Sequence, residues 1–476
     1  MKKPPTNPKE IDPKARIAGF DEVVLCYTEK EALAEAARCL QCKNPTCIAG
    51  CPVGIDIKKF IAQISAKDYK NAYLTIKEKN NFPSICGRVC PAEYQCRKTC
   101  IFTKKDLPFA SKDAINIHFL ERFAGDYGMK HVEHQSTRAP ERQINGIRVA
   151  VVGSGPAGLS CAGELARAGI KVVIFESLHK PGGVLRYGIP PFRLSPETLD
   201  FEIAYLGKLG VEIKTNTIIG RTKLLNELFK EGFHAVFLGL GAGTPSFMGI
   251  PGENFCNIYS ANEFLTRVNF MGAYKFPEAH TPVNIGKDVI TIGGGNTAMD
   301  AARVALRLQK INNIDTNVKV FYRRTENEMP ARRLEIEHAK EEGVNFEFLV
   351  QPIKFEGDEN GNVRSIECLR CRLGEPDSSG RRRPVTIEGS EFKSKCDIAI
   401  IATGLLANQV LTGVTPLLKT DKWGNVEVNP VTMETSIKNV YAGGDIVGGE
   451  GTVIEAMGMA KKAAAAIIER LERKLS

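Results

Sequence analysis

No run in the 476 residues approaches the roughly 20 consecutive apolar residues that a helix needs to cross a bilayer. The polar opening, MKKPPTNPKEIDPK, also lacks the apolar core of a secretory signal, so the expected setting is cytoplasmic, with no membrane partner. Hydrophobic residues make up 43% and charged residues 25%, ordinary for a globular chain, and the length allows about three domains. Fourteen cysteines would suggest disulfides in a small secreted domain, but this chain is neither small nor visibly secreted. Their distribution is more informative than their number: eight lie between Cys39 and Cys100.

Residues 1–27 read as a Pro- and Lys-rich arm draped over a neighbour. Thr28-Glu29-Lys30-Glu31 is a capping box, so a helix should start there and carry Leu33, Ala36, Ala37 and Leu40 toward a core. The first cysteine run is C-x2-C-x4-C-x3-C-P (Cys39, Cys42, Cys47, Cys51). The second is C-x3-C-P-x4-C-x3-C (Cys86, Cys90, Cys96, Cys100). Several thiolates converging on a soft metal, with C-P following a ligand, is a ferredoxin habit in which the last cysteine of a run serves the other cluster. Two [4Fe–4S] clusters with interleaved ligands are the expectation. Zinc sites with four thiolates, or plain core cysteines, are the competing readings.

Between the runs, residues 55–73 show helical apolar spacing at Phe60, Ile61, Ile64 and Tyr73, and residues 114–127 form another expected helix before a polar linker at 131–145. The formal charge of +9 counts thiols as neutral. Two clusters and a flavin dinucleotide would each bring about two negative charges, leaving a slight excess and arguing against nucleic acid as partner. The basic residues Arg97, Lys98, Lys104 and Lys105 suit either an acidic electron carrier or plain solvation.

Residues 147–176 carry the clearest signal. An apolar β-branched run enters Gly153-x-Gly155-x-x-Gly158, an alanine-rich helix and a second strand follow, and Glu176 closes the unit. The first glycine permits a tight turn, the second lets backbone amides approach a pyrophosphate, and the third lets helix and strand pack closely. Glu176 stands where an acid accepts hydrogen bonds from ribose hydroxyls. A bare glycine turn is the alternative. The pattern repeats at DVITIGGGNTAMD with Gly293-x-Gly295-x-x-Ala298, but its second strand ends in Arg323 and Arg324. Arginines there pair with a 2′-phosphate, which reads as NADP(H), unless they are only solvated at a strand tip.

Turn signals at residues 358–361 and 378–380 predict hairpins from the second nucleotide domain. Cys368 and Cys371 fall within a strand-like stretch and are not expected to share a metal, and Cys26, Cys161, Cys256 and Cys396 read as core residues. Gly443, Gly444 and Asp445 at a strand end, followed by a helix from about Thr452, would return the chain to the first nucleotide domain. No cysteine lies between Cys256 and Cys368, which excludes a redox C-x2-C of the thioredoxin-reductase kind beside the second unit.

Taken together, the cysteine runs, GSGPAG, GGVLRYGIPPFRL, GGGNTAMD, YRRTENEMPA and YAGGD resemble the glutamate synthase small-subunit family over nearly the whole chain. That family includes the large subunit of NADH-dependent ferredoxin:NADP+ oxidoreductase, the sulfide dehydrogenase alpha subunit and the amino-terminal half of dihydropyrimidine dehydrogenase. The resemblance implies an α/β fold: a helical double-cluster domain (1–145), an FAD domain in two parts (146–283 and 403–476) and an inserted NADP(H) domain (284–402). It implies one cluster on Cys39, Cys42, Cys47 and Cys100, and another on Cys51, Cys90 and Cys96 with Glu121 as fourth ligand, leaving Cys86 a non-ligand. Implied dinucleotide contacts add Pro156, Ala157, Gly183, Arg186, Asn296, Thr297, Ala298, Arg332, Gly444, Asp445 and Thr452, and Arg193 is implied beside flavin N5.

The implied activity is hydride transfer between NADP(H) and FAD, with single electrons passing through the clusters. No cysteine nucleophile stands at the start, where Lys2 follows Met1, so a complete glutamine-dependent synthase is not expected. Compact length and Glu121 favour the ferredoxin:NADP+ oxidoreductase branch. Its partners would be ferredoxin and a smaller flavin and iron–sulfur subunit handling NAD(H). The glutamate synthase small subunit and a sulfide or polysulfide oxidoreductase stand as alternatives.

Overall fold

The computed structural model describes residues 4–104, 107–132, 146–377, 380–449 and 451–473. The expected linker lies almost wholly outside these residues, as do Lys105 and Ser378-Ser379.

The first domain is helical. Thr28 caps the helix Glu29–Ala36, its hydroxyl accepting from Glu31 N at 3.3 Å while the Glu31 carboxylate accepts from Thr28 N at 2.8 Å. This helix is shorter than expected. Ala32, Glu35 and Ala36 face inward, whereas Leu40 lies beyond its end and is 61% exposed. The stretch 55–73 is broken in two, as Ile57–Ser65 and Tyr69–Lys77, because Lys67 takes a left-handed φ of 60° and Asp68 caps a new helix at Asn71 N. Phe60, Ile61, Ile64 and Tyr73 are buried as their spacing predicts. Helices Pro83–Val89 and Ile117–His131 pack so closely that a Cβ on Gly87 would stand 2.5 Å from Arg122 Cα. That approach brings Cys90 and Cys96 of the second cysteine run into one cavity with Glu121.

Sixteen strands follow among the described residues: β1 (Arg148–Val152), β2 (Lys171–Phe175), β3 (Glu212–Lys214), β4 (Ala235–Leu238), β5 (Ala242–Pro245), β6 (Ile258–Ser260), β7 (Asp288–Ile292) and β8 (Asn317–Tyr322). The remainder are β9 (Asn345–Phe348), β10 (Val350–Gly357), β11 (Val363–Pro376), β12 (Arg382–Thr386), β13 (Phe392–Lys395), β14 (Ile398–Ile401), β15 (Leu405–Ala407) and β16 (Val440–Ala442). One parallel sheet has the order β16-β4-β1-β2-β3 and a second has β6-β14-β7-β8-β9. The last strand therefore returns to the first sheet, and the second sheet is an insertion entered and left through the antiparallel pair β5–β15. The insertion begins earlier than residue 284, because β6 pairs with β14 at Ile258↔Ala399 as an edge of the second sheet. Strands β10 to β13 form the antiparallel excursion predicted from the turns, with Asp358 Oδ1 accepting from Asn360 N at 3.0 Å.

Two helices that flank the first parallel sheet, Pro156–Arg167 and Val453–Glu472, share one continuous apolar core with the cysteine domain. Burying a side chain such as Leu159 or Ile467 there stabilises by about 1.5–3 kcal/mol. The amino-terminal arm does more than drape. It contains the short helix Pro13–Arg16, stacks Phe20 on Tyr274 at 4.2 Å and buries Val23 in the core of the inserted domain. Cys161, Cys368, Cys371 and Cys396 are buried and Cys26 is half-buried, but Cys256 is exposed, on a turn bridged to Asn362.

Candidate functional site

The eight clustered cysteines are all free thiols, and seven of them fall into two groups. Cys39, Cys42, Cys47 and Cys100 are electrostatic neighbours; burial, reinforced by Cys100 and Cys39, pushes Cys47 up to about 12. Cys51, Cys90, Cys96 and Glu121 line one small cavity together with Pro52, His118 and Ile454. Burial pushes the Cys90 and Cys96 thiols far above the usual range, reinforced at Cys90 by Cys86, Glu121 and Cys51 and at Cys96 by Cys90, Cys51 and Glu121. The last cysteine of each run thus joins the other group. Thr46 Oγ1 donates to Thr99 O at 2.5 Å, tying the two runs together, and Cys47 is also close enough to act on Cys96. Thiols crowded in this way cannot ionise unaided, and a bound cationic metal centre is what reverses that cost.

Glu121 fits the same test. Its carboxylate is fully enclosed, and burial pushes it up to about 8 against one hydrogen bond, from Asn80 Nδ2 at 2.6 Å. Cys86 does not line the cavity; its sulfur lies 3.8 Å from Asn80 Oδ1 and 3.7 Å from Met457 Sδ. Seven cysteines and one carboxylate thus make up the two groups, with Cys86 beside the second group as a neighbour of Cys90 but outside the cavity lining. His118, one turn before Glu121, is buried and held neutral by burial and by Arg97, with Nδ1 lacking a hydrogen-bond partner among the described residues.

Around the first group, Lys43, Lys98 and Lys104 are exposed without an ion-pair partner among the described residues, and Leu40 and Ile101 are 61% and 66% exposed. Arg97 does not belong to this basic surface, since it is half-buried and donates to Ile115 O at 3.2 Å.

At the first nucleotide unit, Gly153 adopts φ 96° at the end of β1 and Gly158 presses on it: a Cβ on Gly158 would meet Gly153 O at 1.9 Å. Gly155 behaves differently, with φ −72° and nothing within 4 Å of its added Cβ. Gly158 is required by the fold, whereas Gly155 leaves an opening. Pro156 and Ala157 begin the helix there, and Gly183 and Gly444 close on the same place, a Cβ on each standing 2.8 Å from Gly155 Cα and 3.0 Å from Ala157 Cβ. Glu176 is buried and accepts from Ser154 N and Leu178 N at 2.9 and 2.8 Å, so it braces the turn. Asp445 follows Gly444 and is pushed up to about 6 by burial, and Thr452 caps the long last helix through Glu455. Arg186 is committed elsewhere, donating to Pro181 O at 2.6 Å and pairing with Asp200.

The second unit repeats the opening: Gly295 has φ −87° and nothing within 4 Å of its added Cβ, with Asn296, Thr297 and Ala298 in the first helical turn. The two strand-tip arginines separate. Arg323 is exposed with no side-chain partner among the described residues. Arg324 is buried, donating to Arg382 O at 2.7 Å and pairing with Asp377 at 2.8 Å, so it anchors the β11–β12 hairpin. Arg332 also departs from expectation. Its backbone N–H reaches Asn296 Oδ1 at 2.9 Å, but its buried guanidinium donates to Arg88 O at 2.8 Å, toward the cysteine domain rather than the glycine turn.

Arg193 sits where all three domains meet, in a small cavity that Gly87, Arg88 and Arg332 also line. It pairs with Asp300 at 2.6 Å and Glu335 at 3.1 Å. Although burial pushes Glu335 up, Arg193 and Arg303 hold it down at about 2. Behind it, Arg303, Arg307 and Arg16 converge on Glu342 at 2.8, 2.6 and 2.7 Å.

Residues 16–133 match the family described as dihydropyrimidine dehydrogenase domain II, 4Fe-4S cluster, and residues 147–460 match pyridine nucleotide-disulphide oxidoreductase. The glutamate synthase [NADPH] small chain of Escherichia coli is 34% identical over 98% of this chain and 97% of its own length. The chain belongs to the glutamate synthase small-chain family. It is accordingly an FAD- and NADP-dependent oxidoreductase with a 4Fe–4S domain. A further relative, the beta subunit of NADP(+)-dependent formate dehydrogenase from Moorella thermoacetica, is 37% identical over 90% of this chain, which spans only 60% of that protein. Mycobacterium tuberculosis FprA, solved in complex with NADPH, shares the fold of 70% of this chain at 21% identity and a TM-score of 0.58, with 86% of FprA covered.

For this member of the glutamate synthase small-chain family, sequence reasoning missed Asn80, His118, Asp300, Glu335 and Glu342. Asp300 lies inside GGGNTAMD, and Arg303 and Arg307 stand one turn apart on one helix, but nothing in the sequence pairs them with acids 32 and 35 residues away. No helix among the described residues is long and apolar enough to cross a membrane.

Proposed function

We propose that this chain is the NADP(H)-handling subunit of a multi-subunit electron-transfer enzyme, and within its family the large subunit of an electron-bifurcating NADH-dependent ferredoxin:NADP+ oxidoreductase. Bound there, FAD would supply hydride exchange with the nicotinamide and single-electron exchange with two [4Fe–4S] clusters. The amides around the Gly155 opening would receive the FAD pyrophosphate, and Glu176, by fixing Ser154, holds that turn in shape. The amides beside Gly295 would receive NADP(H), with Arg323 meeting the 2′-phosphate. Arg193, held between Asp300 and Glu335, fixes a cation at the domain junction where reduced flavin would need one. Cys51, Cys90, Cys96 and Glu121 would hold the inner cluster, because Ile454 of the flavin-side helix lines their cavity. Cys39, Cys42, Cys47 and Cys100 would hold the outer one.

The observation that carries this reading is the crossing of the two cysteine runs between a core shared with the flavin domain and a surface bearing Lys43, Lys98, Lys104, Leu40 and Ile101. A basic rim around apolar residues suits an acidic one-electron carrier such as ferredoxin. A smaller flavin and iron–sulfur subunit handling NAD(H) is the proposed partner, in the cytoplasm. Glu121 in the inner cavity favours this branch. The end-to-end match to glutamate synthase small chains favours a second reading, the subunit that supplies NADPH electrons to an amidotransferase partner.

The test is to purify the chain with its native partners and measure NADP+ reduction by reduced ferredoxin with and without NADH. Dependence on both donors supports the first reading. NADPH oxidation coupled to glutamine and 2-oxoglutarate would replace it with the second.

A further inference from the structure

We infer that Asn80 is the positioning residue for the Glu121 carboxylate at the inner cluster, with the Cys86 thiol helping to lock its amide. This rests on the reading that Cys51, Cys90, Cys96 and Glu121 hold that cluster.

Asn80 is fully buried in the link between helices Tyr69–Lys77 and Pro83–Val89. Its Oδ1 accepts from Phe82 N at 2.8 Å, and the Cys86 thiol approaches the same oxygen at 3.8 Å. A backbone N–H is only a donor, so the amide has one admissible orientation, with the oxygen toward Phe82 and the NH2 group toward Glu121. That NH2 donates to Glu121 Oε1 at 2.6 Å. Glu121 Oε2 has no partner among the described residues and belongs to a side chain that lines the cysteine cavity. One carboxylate oxygen is thus occupied and the other left for a metal, which selects single-oxygen ligation and fixes the direction of approach. Groups in this position orient a ligand and tune the metal through it, and losing one typically costs roughly 10- to 100-fold in metal affinity.

The link is also held by bonds that do not involve the NH2 group of this amide. Asn80 N donates to Ile76 O at 2.8 Å and Lys77 Nζ donates to Asn81 O at 2.6 Å. An isosteric change can therefore remove the contact with Glu121 alone. In Asn80→Asp the bonds from Phe82 and Cys86 remain, while the donor to Glu121 is replaced by a carboxylate oxygen that repels it; Asn80→Ala removes all three contacts and adds no charge.

The experiment uses the anaerobically purified holoprotein and its N80D, N80A, C86A and E121A variants. It reads the electron paramagnetic resonance signals of both reduced clusters and the rate of iron loss to a chelator, with flavin absorbance as the control for folding. In N80D and N80A, the signal that E121A alters should shift, one of two iron-release phases should quicken about 10-fold, and the other cluster and the flavin should stay as in the wild type. C86A should change release by less than about twofold, since Phe82 still holds the amide. The inference is overturned if N80D and N80A both match the wild type while E121A does not, or if both disturb the two clusters equally. If E121A leaves both signals intact while C86A abolishes one, the ligand assignment itself fails, with Cys86 the ligand in place of Glu121.

Discussion

Replacing Arg323 and Arg324 one at a time separates recognition from support. Arg323 is exposed and has no side-chain partner among the described residues, so Arg323→Ala should leave the melting temperature unchanged. If its guanidinium meets the 2′-phosphate, the lost charge-assisted hydrogen bonds are worth about 1.5–3 kcal/mol. That corresponds to a roughly 10- to 150-fold rise in KM for NADPH, with KM for NADH almost unmoved. Arg324→Ala removes a 2.8 Å ion pair to Asp377 and a 2.7 Å bond to Arg382 O from a side chain that is 7% exposed. Its cost should appear as about 1–3 kcal/mol of stability, a fall of about 2–4 °C for each kcal/mol in a domain of this size. The assay is steady-state reduction of an artificial acceptor with each nucleotide, alongside thermal melts. Equal losses with NADPH and NADH in R323A, or a selectivity change confined to R324A, would refute the assignment of Arg323.

The glycine turns give a similar contrast. Gly158→Ala places a methyl group 1.9 Å from Gly153 O and should cost at least about 1–3 kcal/mol, whereas G155A should fold normally yet purify without flavin, and G295A should keep flavin but fail to bleach with NADPH. Flavin-to-protein ratios and NADPH titrations check all three. Glu342→Ala leaves Arg303, Arg307 and Arg16 facing one another without their shared acid, so calorimetry should register about 3–5 kcal/mol of destabilisation. Asp445 carries a pH signature: burial lifts it to about 6, so its protonated form favours folding below about pH 4 and that stability is lost as pH rises through 6. In flavin-free protein at pH 8, D445N should exceed the wild type by up to about 3 kcal/mol, and the gap should close in acid. A gap independent of pH would contradict the assigned cause.

The sheets, both glycine turns and the insertion were legible because each rests on a local pattern: an apolar run, a fixed glycine spacing and a helix start. Boundaries were less so. The single helix expected across residues 55–73 breaks at Lys67 and Asp68, whose backbone conformation and cap outweigh the apolar period. β6 joins the inserted sheet through pairing with a strand some 140 residues away, which no local window contains. At the site, spacing placed the cysteines but not their partition, since the grouping depends on how two loops meet at Thr46 and Thr99. Cys86 has the same spacing signal as a ligand, yet the helix Pro83–Val89 turns it toward Met457. Arg324 and Arg332 look like nucleotide contacts by position but are drawn into the hairpin and the domain junction by partners distant in sequence.

The central claim is that electrons from NADPH reach two clusters whose ligands cross between the cysteine runs. The most direct test is paramagnetic resonance of anaerobic holoprotein reduced with NADPH, comparing C39S, C51S, C90S and C100S. The account predicts two cluster signals in the wild type, one lost in both C51S and C90S and the other in both C39S and C100S. Loss of the same signal in C39S and C51S, or no cluster signal on addition of NADPH, would contradict it.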